Sequence, residues 1–326
     1  MSKQSPRIVY MGTPGFAVAP LKLLLESECN VVGVITAPDR PAGRGKKLRS
    51  SEVKTFMLEQ DNQIPILQPE NLKDPAFIEE LNALKPDLQV VVAFRMLPEV
   101  VWRIPSMGTF NLHASLLPQY RGAAPINHVL INGESETGVT TFFIDEQIDT
   151  GLILLQEHIA IGAKENAGEL HDRLMEPGAA LVLETVRQLA AGQLLARPQN
   201  QYLDSEIALK KAPKIFKEDC RIDWMLPGER LYNLIRGLSP FPGAFTFLEK
   251  EGGGRLQCKI FSSTFEAGTP GEKAGTIKSD GKRELEVALT DGVLHIHSIQ
   301  LEGKRRMNIK DFLAGFSLRS GVYRFS

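Results

Sequence analysis

Cysteine is scarce: Cys29, Cys220 and Cys258 are three in 326 residues and lie far apart. They make neither a disulfide framework nor a Cys-x-x-Cys metal site, so a reducing compartment is expected. Long apolar runs are also missing, and no stretch approaches the roughly 20 apolar residues that cross a bilayer. Met1-Ser-Lys-Gln-Ser-Pro-Arg7 passes directly into a short β-like run, without the apolar core and small-residue cleavage site of a secretory leader. A cytoplasmic location and no membrane partner follow as expectations. Neither sign of charge dominates, since 38 Lys and Arg against 39 Asp and Glu leave a formal net charge of −1. The molecule as a whole is not drawn to nucleic acid or anionic lipid, and any polyanion contact has to come from a local patch.

Common catalytic signatures are missing too. The first strand–helix turn carries Gly12-x-x-Gly15 rather than Gly-x-Gly-x-x-Gly. The second strand ends at Thr36 and not at the acid that holds a ribose hydroxyl in dinucleotide-binding sheets. Gly43-Arg-Gly45 falls after that strand, and Gly45-Lys46-Lys47 lacks the upstream Gly and the following Ser or Thr of a P-loop. There is no Gly-x-Ser-x-Gly elbow, and the six histidines show no His-Glu-x-x-His or Cys/His cluster. His295 and His297 alternate on one strand face and read as a half-exposed strand rather than metal ligands. No metal is expected, and a dehydrogenase is disfavoured.

The patterns that are present divide the chain in two, as its length suggests. Apolar runs at residues 7–11, 30–36, 87–93, 109–113, 138–144 and 152–160 are interleaved with helical spacings, for instance Phe16, Val18, Leu21, Leu24 and Leu25. Such alternation implies a mostly parallel, Rossmann-like sheet covered on both faces, with ligands bound beyond the carboxyl ends of its strands. An amphipathic segment from Ala167 to Ala191 closes this part, and Gly192–Pro213, without periodicity, reads as a linker. Beyond it, one helix over Pro227–Leu238 is followed by five short β-like runs with Gly-rich turns, the texture of a small OB-like β-barrel. The expected fold is therefore an α/β domain over 1–206 and a β-barrel domain over 207–326.

The informative segment is Phe110-Asn111-Leu112-His113-Ala114-Ser115-Leu116-Leu117-Pro118. A strand alternates its side chains, so Asn111 and His113 share a face where strand gives way to loop. Alone, such a triplet is better explained by a strand end touching water. The following loop, stiffened by Pro118, Gly122 and Pro125, adds the rigidity of a preorganised pocket. Downstream, Asp149-Thr150-Gly151 follows another apolar strand and puts a carboxylate in a tight turn. An aspartic-protease reading of that triplet would need a second carboxylate triplet and an all-β scaffold, and neither is found.

Several stretches together resemble the folate-dependent formyltransferases, over both halves and nearly the whole length. They are Gly12-Thr-Pro-Gly-Phe-Ala17, Pro38-Asp-Arg-Pro-Ala-Gly-Arg-Gly-Lys-Lys-Leu48, Asn111-Leu-His-Ala-Ser-Leu-Leu-Pro118, Arg121-Gly-Ala-Ala-Pro125, Glu136-Thr-Gly-Val-Thr140 and Ile148-Asp-Thr-Gly151. The resemblance implies the donor 10-formyltetrahydrofolate and makes Asn111, His113 and Asp149 the catalytic set. It implies that Ser115, Leu116, Leu117 and Pro118 line the folate pocket. Phe16 matches the position that packs against a methionyl side chain, although a core aromatic at a helix start explains it equally well. The basic run with Arg40, Arg44, Lys46 and Lys47 is similar to the loop that marks the tRNA-acting branch, and it implies initiator methionyl-tRNA as acceptor. Lys304 and Arg305, on a turn after the last strand, are further candidates for RNA contact. No oligomer seam is evident, so a monomer is expected. The alternative acceptor, an amine on a sugar nucleotide or ribonucleotide, would need neither the basic run nor a basic second domain. One departure is Phe94-Arg95-Met96-Leu97-Pro98, where the family carries a Tyr-Gly pair ahead of Leu-Pro.

Overall fold

The computed structural model describes residues 5–42, 47–60, 62–203, 208–250, 252–269, 271–318 and 323–326. The chain forms two compact units: Met1–Gly122 with Glu136–Ala160 and His171–Lys211, and Ala123–Ser135 with Ile161–Leu170 and Ala212–Ser326.

In the first unit the strands are β1 (Arg7–Gly12), β2 (Asn30–Ile35), β3 (Arg40–Ala42), β4 (Lys47–Arg49), β5 (Ile66–Leu67), β6 (Leu88–Val92), β7 (Thr109–His113), β8 (Glu136–Phe143) and β9 (Ile153–Ala160). Seven of them form one sheet in the order β5-β2-β1-β6-β7-β8-β9. Pairing is parallel from β5 through β7 and antiparallel for β7–β8 and β8–β9. The mostly parallel expectation therefore holds for the first five strands. Every residue of β6 is buried, as a central parallel strand covered on both faces requires. Helices α1 (Val18–Leu25), α2 (Glu52–Leu58), α3 (Pro75–Ala83) and α4 (Glu99–Trp102) connect these strands. Their starts obey local chemistry: the Ser51 hydroxyl accepts from Lys54 N ahead of α2, and Asp74 accepts from Ala76 N ahead of α3, whose first residue is Pro75. Val9, Met11, Ile35, Leu81, Val91 and Val101 pack into one core on the β1–β6 side.

Helix α5 (Pro125–Ile131) precedes β8, and α6 (Ala167–Ala191) matches the amphipathic segment read from the sequence. Helix α7 (Gly228–Leu238) begins within a residue of the expected start. The remaining strands are β10 (Ala244–Lys250), β11 (Arg255–Ala267), β12 (Ile277–Ser279), β13 (Leu285–Ala288), β14 (Gly292–Leu301), β15 (Met307–Asn308) and β16 (Tyr323–Phe325), with α8 (Ile309–Gly315) ahead of the last. They form an antiparallel sheet in the order β12-β13-β14-β11-β10-β16, with β15 on β14. A bridge between Thr276 and Arg324 joins its two ends, which makes the sheet a nearly closed barrel. Five of these strands, β10 to β14, were legible; β15 and β16, at two and three residues, were not read from the sequence. No helix among the described residues is long and apolar enough to cross a membrane.

One expectation is corrected. The segment read as a linker is fastened along the first unit. Arg197 bridges Ile153, Tyr120 N donates to Lys210 O at 2.7 Å, and Lys210 N donates to Gln119 Oε1 at 2.8 Å. Its anchorage is made of single hydrogen bonds rather than a buried face, so it leaves no hydrophobic period to read.

Candidate active site

His113 closes β7 and Asn111 precedes it on the same face. Across β8 and β9, His113 pairs with Thr140, which pairs with Gln156, so these three side chains stand in one row. His113 is 6% exposed, and its Nε2 lies 2.9 Å from Tyr120 O. A carbonyl only accepts, so Nε2 carries the proton there and Nδ1 holds the free lone pair of the neutral ring. Nδ1 faces Asp149 Oδ2 at 3.8 Å. That separation is longer than a hydrogen bond but close enough for the carboxylate to stabilise an imidazolium. The three residues singled out in the sequence are thus gathered at the carboxyl end of β7, where a doubly wound sheet places its ligands.

Asp149 is held by more than its turn. Gly122 N donates to Oδ2 at 2.9 Å, and the side chain is 15% exposed. Its backbone takes φ 55°, a left-handed conformation that Asp tolerates better than most residues. A Cβ on the neighbouring Gly151 would lie 1.7 Å from Phe143 O, so only glycine fits there. Asn111 is half-buried, and its carboxamide makes no hydrogen bond to any described residue. Its N–H donors are available to a ligand oxygen.

The loop after β7 is pinned from below. Ser115 Oγ donates to Gln119 O at 2.8 Å, and Thr140 Oγ1 donates to Ser115 O at 2.6 Å. Thr140 Oγ1 also accepts from Leu117 N at 3.2 Å, while Gln156 Nε2 donates to Leu117 O at 2.7 Å. Ser115, Leu117 and Pro118 are buried, and Leu116 is the partly open member of the four. What this stretch offers a ligand is therefore Leu116 and a rigid main chain. Phe16 is 6% exposed, with its ring centroid 5.3 Å from that of His171.

Reading the sequence did not single out Thr140, Gln156, Tyr120 or Gln199. Gln199, in a short 3-10 turn (Gln199–Tyr202), is 5% exposed. Its Nε2 donates to Asp149 O and Gly151 O, each at 2.9 Å, and its Oε1 accepts from Arg121 Nε and Nη2 at 3.1 and 2.7 Å. Both donors and both lone pairs of the amide are engaged. Leaving one such buried partner unmet costs about 1–3 kcal/mol. The one available signal was a buried-type environment for polar residues: Thr140 lies inside a quoted motif, whereas nothing in the local sequence marks Gln199.

Among the described residues, the side chains of Arg40, Lys304 and Arg305 take no part in this hydrogen-bonded cluster. Arg40 and Lys47 belong to an antiparallel hairpin in which Arg40 pairs with Arg49 and Ala42 with Lys47. Arg40 is exposed, and Arg44 and Lys46 lie outside the described residues. Asp39, the acid beside the run, is taken up by Lys54 at 2.7 Å. The Lys54 ammonium, then Gln68, hold that carboxyl below its usual range. Lys304 and Arg305 are exposed on the turn after β14, whereas Arg306 lies over the Phe261 ring at 4.5 Å and donates to Ser298 Oγ. Arg95, in the departing segment, donates to the carbonyls of Pro69 and Glu70 and so pins the turn beyond β5; burial lowers its pKa.

Two family models match the chain, "Formyl transferase" over residues 6–186 and "Formyl transferase, C-terminal domain" over residues 214–317. A methionyl-tRNA formyltransferase of Parabacteroides distasonis is 54% identical over 317 residues, covering 97% of each chain. One of Flavobacterium johnsoniae is 50% identical, covering 97% of this chain and 99% of its own. Among solved structures, the sugar 3N-formyl transferase WlaRD aligns with a TM-score of 0.60 at 19% identity, over 93% of this chain and all (100%) of the other. HypX of Aquifex aeolicus in complex with tetrahydrofolic acid aligns with a TM-score of 0.62 at 17% identity, and this chain spans 47% of that longer one. At those identities the two structures speak for the fold alone.

Proposed function

The chain belongs to the formyl transferase family through both of its domains, and from that premise we propose that it moves the formyl group of 10-formyltetrahydrofolate onto the α-amine of initiator methionyl-tRNA. The product would be N-formylmethionyl-tRNA for translation initiation, made in the cytoplasm by a monomer. The observation that carries the reading is the convergence of an unengaged Asn111 carboxamide with the His113–Asp149 pair at the end of β7. That donor set fits a formyl group: one N–H aimed at a carbonyl oxygen and one basic nitrogen beside it.

The folate supplies an activated one-carbon acyl group, and the chain's own residues do the rest. Asn111 donates an N–H to the formyl oxygen, where negative charge gathers as the amine attacks. His113 accepts the amine's proton at Nδ1, directly or through a water, while Tyr120 O keeps the Nε2 proton in place. Asp149 then faces a cationic ring across 3.8 Å and stabilises it until the bond from the formyl carbon to N10 of the folate breaks and the ring's proton passes to that departing nitrogen. No Ser or Cys nucleophile is needed, because the amine is itself nucleophilic. Leu116 and the main chain of Ser115–Pro118 border the folate, and Phe16, backed by His171, supports the methionyl side chain. Arg40, Arg44, Lys46 and Lys47 meet the tRNA acceptor end, with Lys304 and Arg305 as a second set of phosphate contacts.

The test is incubation of labelled 10-formyltetrahydrofolate with methionyl initiator tRNA, uncharged tRNA, an amino-sugar nucleotide and buffer. Label should pass to the charged tRNA alone. Transfer to the amino sugar instead, or release as formate in every arm, would overturn the reading.

A further inference from the structure

Three consecutive residues each fasten a different part of the His113–Asp149 cluster. Tyr120 O takes the proton of His113 Nε2 at 2.9 Å. Arg121 donates twice to Gln199 Oε1, at 2.7 and 3.1 Å. Gly122 N donates to Asp149 Oδ2 at 2.9 Å. Gln199 closes the ring by donating to the carbonyls of Asp149 and Gly151, each at 2.9 Å.

The polarity of that ring is unambiguous. A guanidinium only donates, so Oε1 of Gln199 has to face Arg121 and the amide N–H groups have to face the two carbonyls. Those carbonyls belong to the turn in which Asp149 holds φ 55°. Such a conformation persists where the surroundings over-determine it, and both ends of this turn are tied to one side chain. Relaxation of Asp149 toward negative φ would re-aim its Cα–Cβ bond and take Oδ2 away from the imidazole. A glutamine that merely filled core space would have no reason to span these two oxygens, with its acceptor side held by the residue preceding Gly122.

We infer that Gln199 is a positioning residue for formyl transfer: gripped by Arg121, it bridges the Asp149 and Gly151 carbonyls and keeps the Asp149 carboxylate aimed at His113 Nδ1. It touches no reacting atom. The inference rests on reading His113 and Asp149 as the groups that handle the amine's proton. It also gives the segment between α6 and the second unit a role: one residue of it completes the site.

Two variants test it in the full-length enzyme. Gln199→Glu keeps the size and an acceptor for Arg121 but withdraws both donations to the turn; Gln199→Leu removes both sides. Three quantities are read: kcat and the KM for each substrate, the melting temperature, and the NMR chemical shift of the Gly122 amide proton, which reports its hydrogen bond to Asp149. The expected result is a fall in kcat of about 10- to 100-fold, the scale of a misplacement near one ångström. Both KM values should change little, and the Gly122 amide proton in Gln199→Leu should move upfield as Asp149 Oδ2 turns away from it. Unchanged kcat with an unchanged Gly122 amide shift in the folded variants would overturn the inference, as would a loss of activity that only follows the melting temperature. If the wild-type protein transfers formyl to no amine, the functional reading fails instead, and the Gly122 amide shift still decides whether Gln199 positions Asp149.

Discussion

Polar side chains around His113 and basic side chains on the β3–β4 hairpin and the Lys304–Arg305 turn serve opposite physical ends. In the first region nearly every donor has a named acceptor: His113 on Tyr120 O, Gly122 on Asp149, Gln199 on two carbonyls, and Thr140 and Gln156 on the loop after β7. In the second, Arg40, Lys304 and Arg305 stand exposed, and the nearby acid Asp39 is already occupied by Lys54. The contrast teaches how to tell chemistry from attraction. Chemistry needs atoms held to within a fraction of an ångström, so its residues are buried and cross-tied. Attraction to a polyanion needs only charge within about a Debye length, so its residues can be mobile and individually dispensable. Damage to the first region should be large and steep, and damage to the second small and additive.

The largest effect is expected at the reacting groups. Asn111→Ala should lower turnover by about 10²–10³ or more, the cost of removing one donor to a developing oxyanion, and His113→Ala by about 10²–10⁴, the scale of a lost general base. Asp149→Asn should be comparably damaging while the protein stays folded, since Gly122 N can still donate to an amide oxygen. Near-normal turnover in any of the three would dissolve the contrast by making the cross-tied region ordinary structure.

Next is the turn itself. Gly151→Ala sets a methyl against the carbonyl of Phe143, a backbone atom that cannot step aside, and overpacking of this kind costs about 1–3 kcal/mol. Denaturant unfolding measures the loss. Gly315→Ala, where an added Cβ meets nothing within 4 Å, is the control and should leave stability nearly unchanged. Equal midpoints for the two variants would mean that the Asp149 turn yields more easily than its packing implies.

A smaller effect is expected on the basic hairpin. Arg40→Ala and Arg44→Ala should weaken use of methionyl-tRNA several-fold and leave the KM for folate alone. Each phosphate that is no longer neutralised should flatten the slope of log affinity against log salt by about 0.7–0.9. Equal damage to both substrates would move these residues into the first region.

The smallest effect concerns a cross-tied carboxylate with no catalytic part, at the turn between β12 and β13. Asp280 accepts from the main-chain N–H of Arg283, Glu284 and Lys282, which hold its pKa down from 3.8 to about 2. A folded pKa below the unfolded one contributes stability that is present above about pH 4 and is lost as pH falls through the folded value. The three amides should keep their chemical shifts down to about pH 3 and change only as pH approaches 2. Movement complete by about pH 4 would show that an exposed carboxylate gains nothing from three donors.

Legibility followed the range of the interactions. Asn111 and His113 could be paired from the sequence because a strand places residues two apart on one face. Helix α6 was bounded to the residue by its amphipathic spacing, and α7 almost so. Barrel strands β10, β11, β13 and β14, of four residues or more, showed β-like runs, and β12 was found as part of a run between Gly-rich turns. The β3–β4 hairpin was not read, because its two short strands lie in a run dominated by charge and glycine. Gln199 and the strap around it were read as a linker for a related reason. The Gln199 interactions are hydrogen bonds to partners 48 to 78 positions away, which no local window contains.

By itself, then, the order of residues determined which elements form, that a parallel sheet precedes a barrel, and that an amide and an imidazole share the end of one strand. Those outcomes depend on period, capping and turn chemistry, all of which act over a few neighbours. Only the tertiary structure decided that Asp149 faces Nδ1, that Nε2 is committed to Tyr120, and that a glutamine far along the chain holds the turn in place. Each of these depends on a distance between segments that the folded sheet brings together.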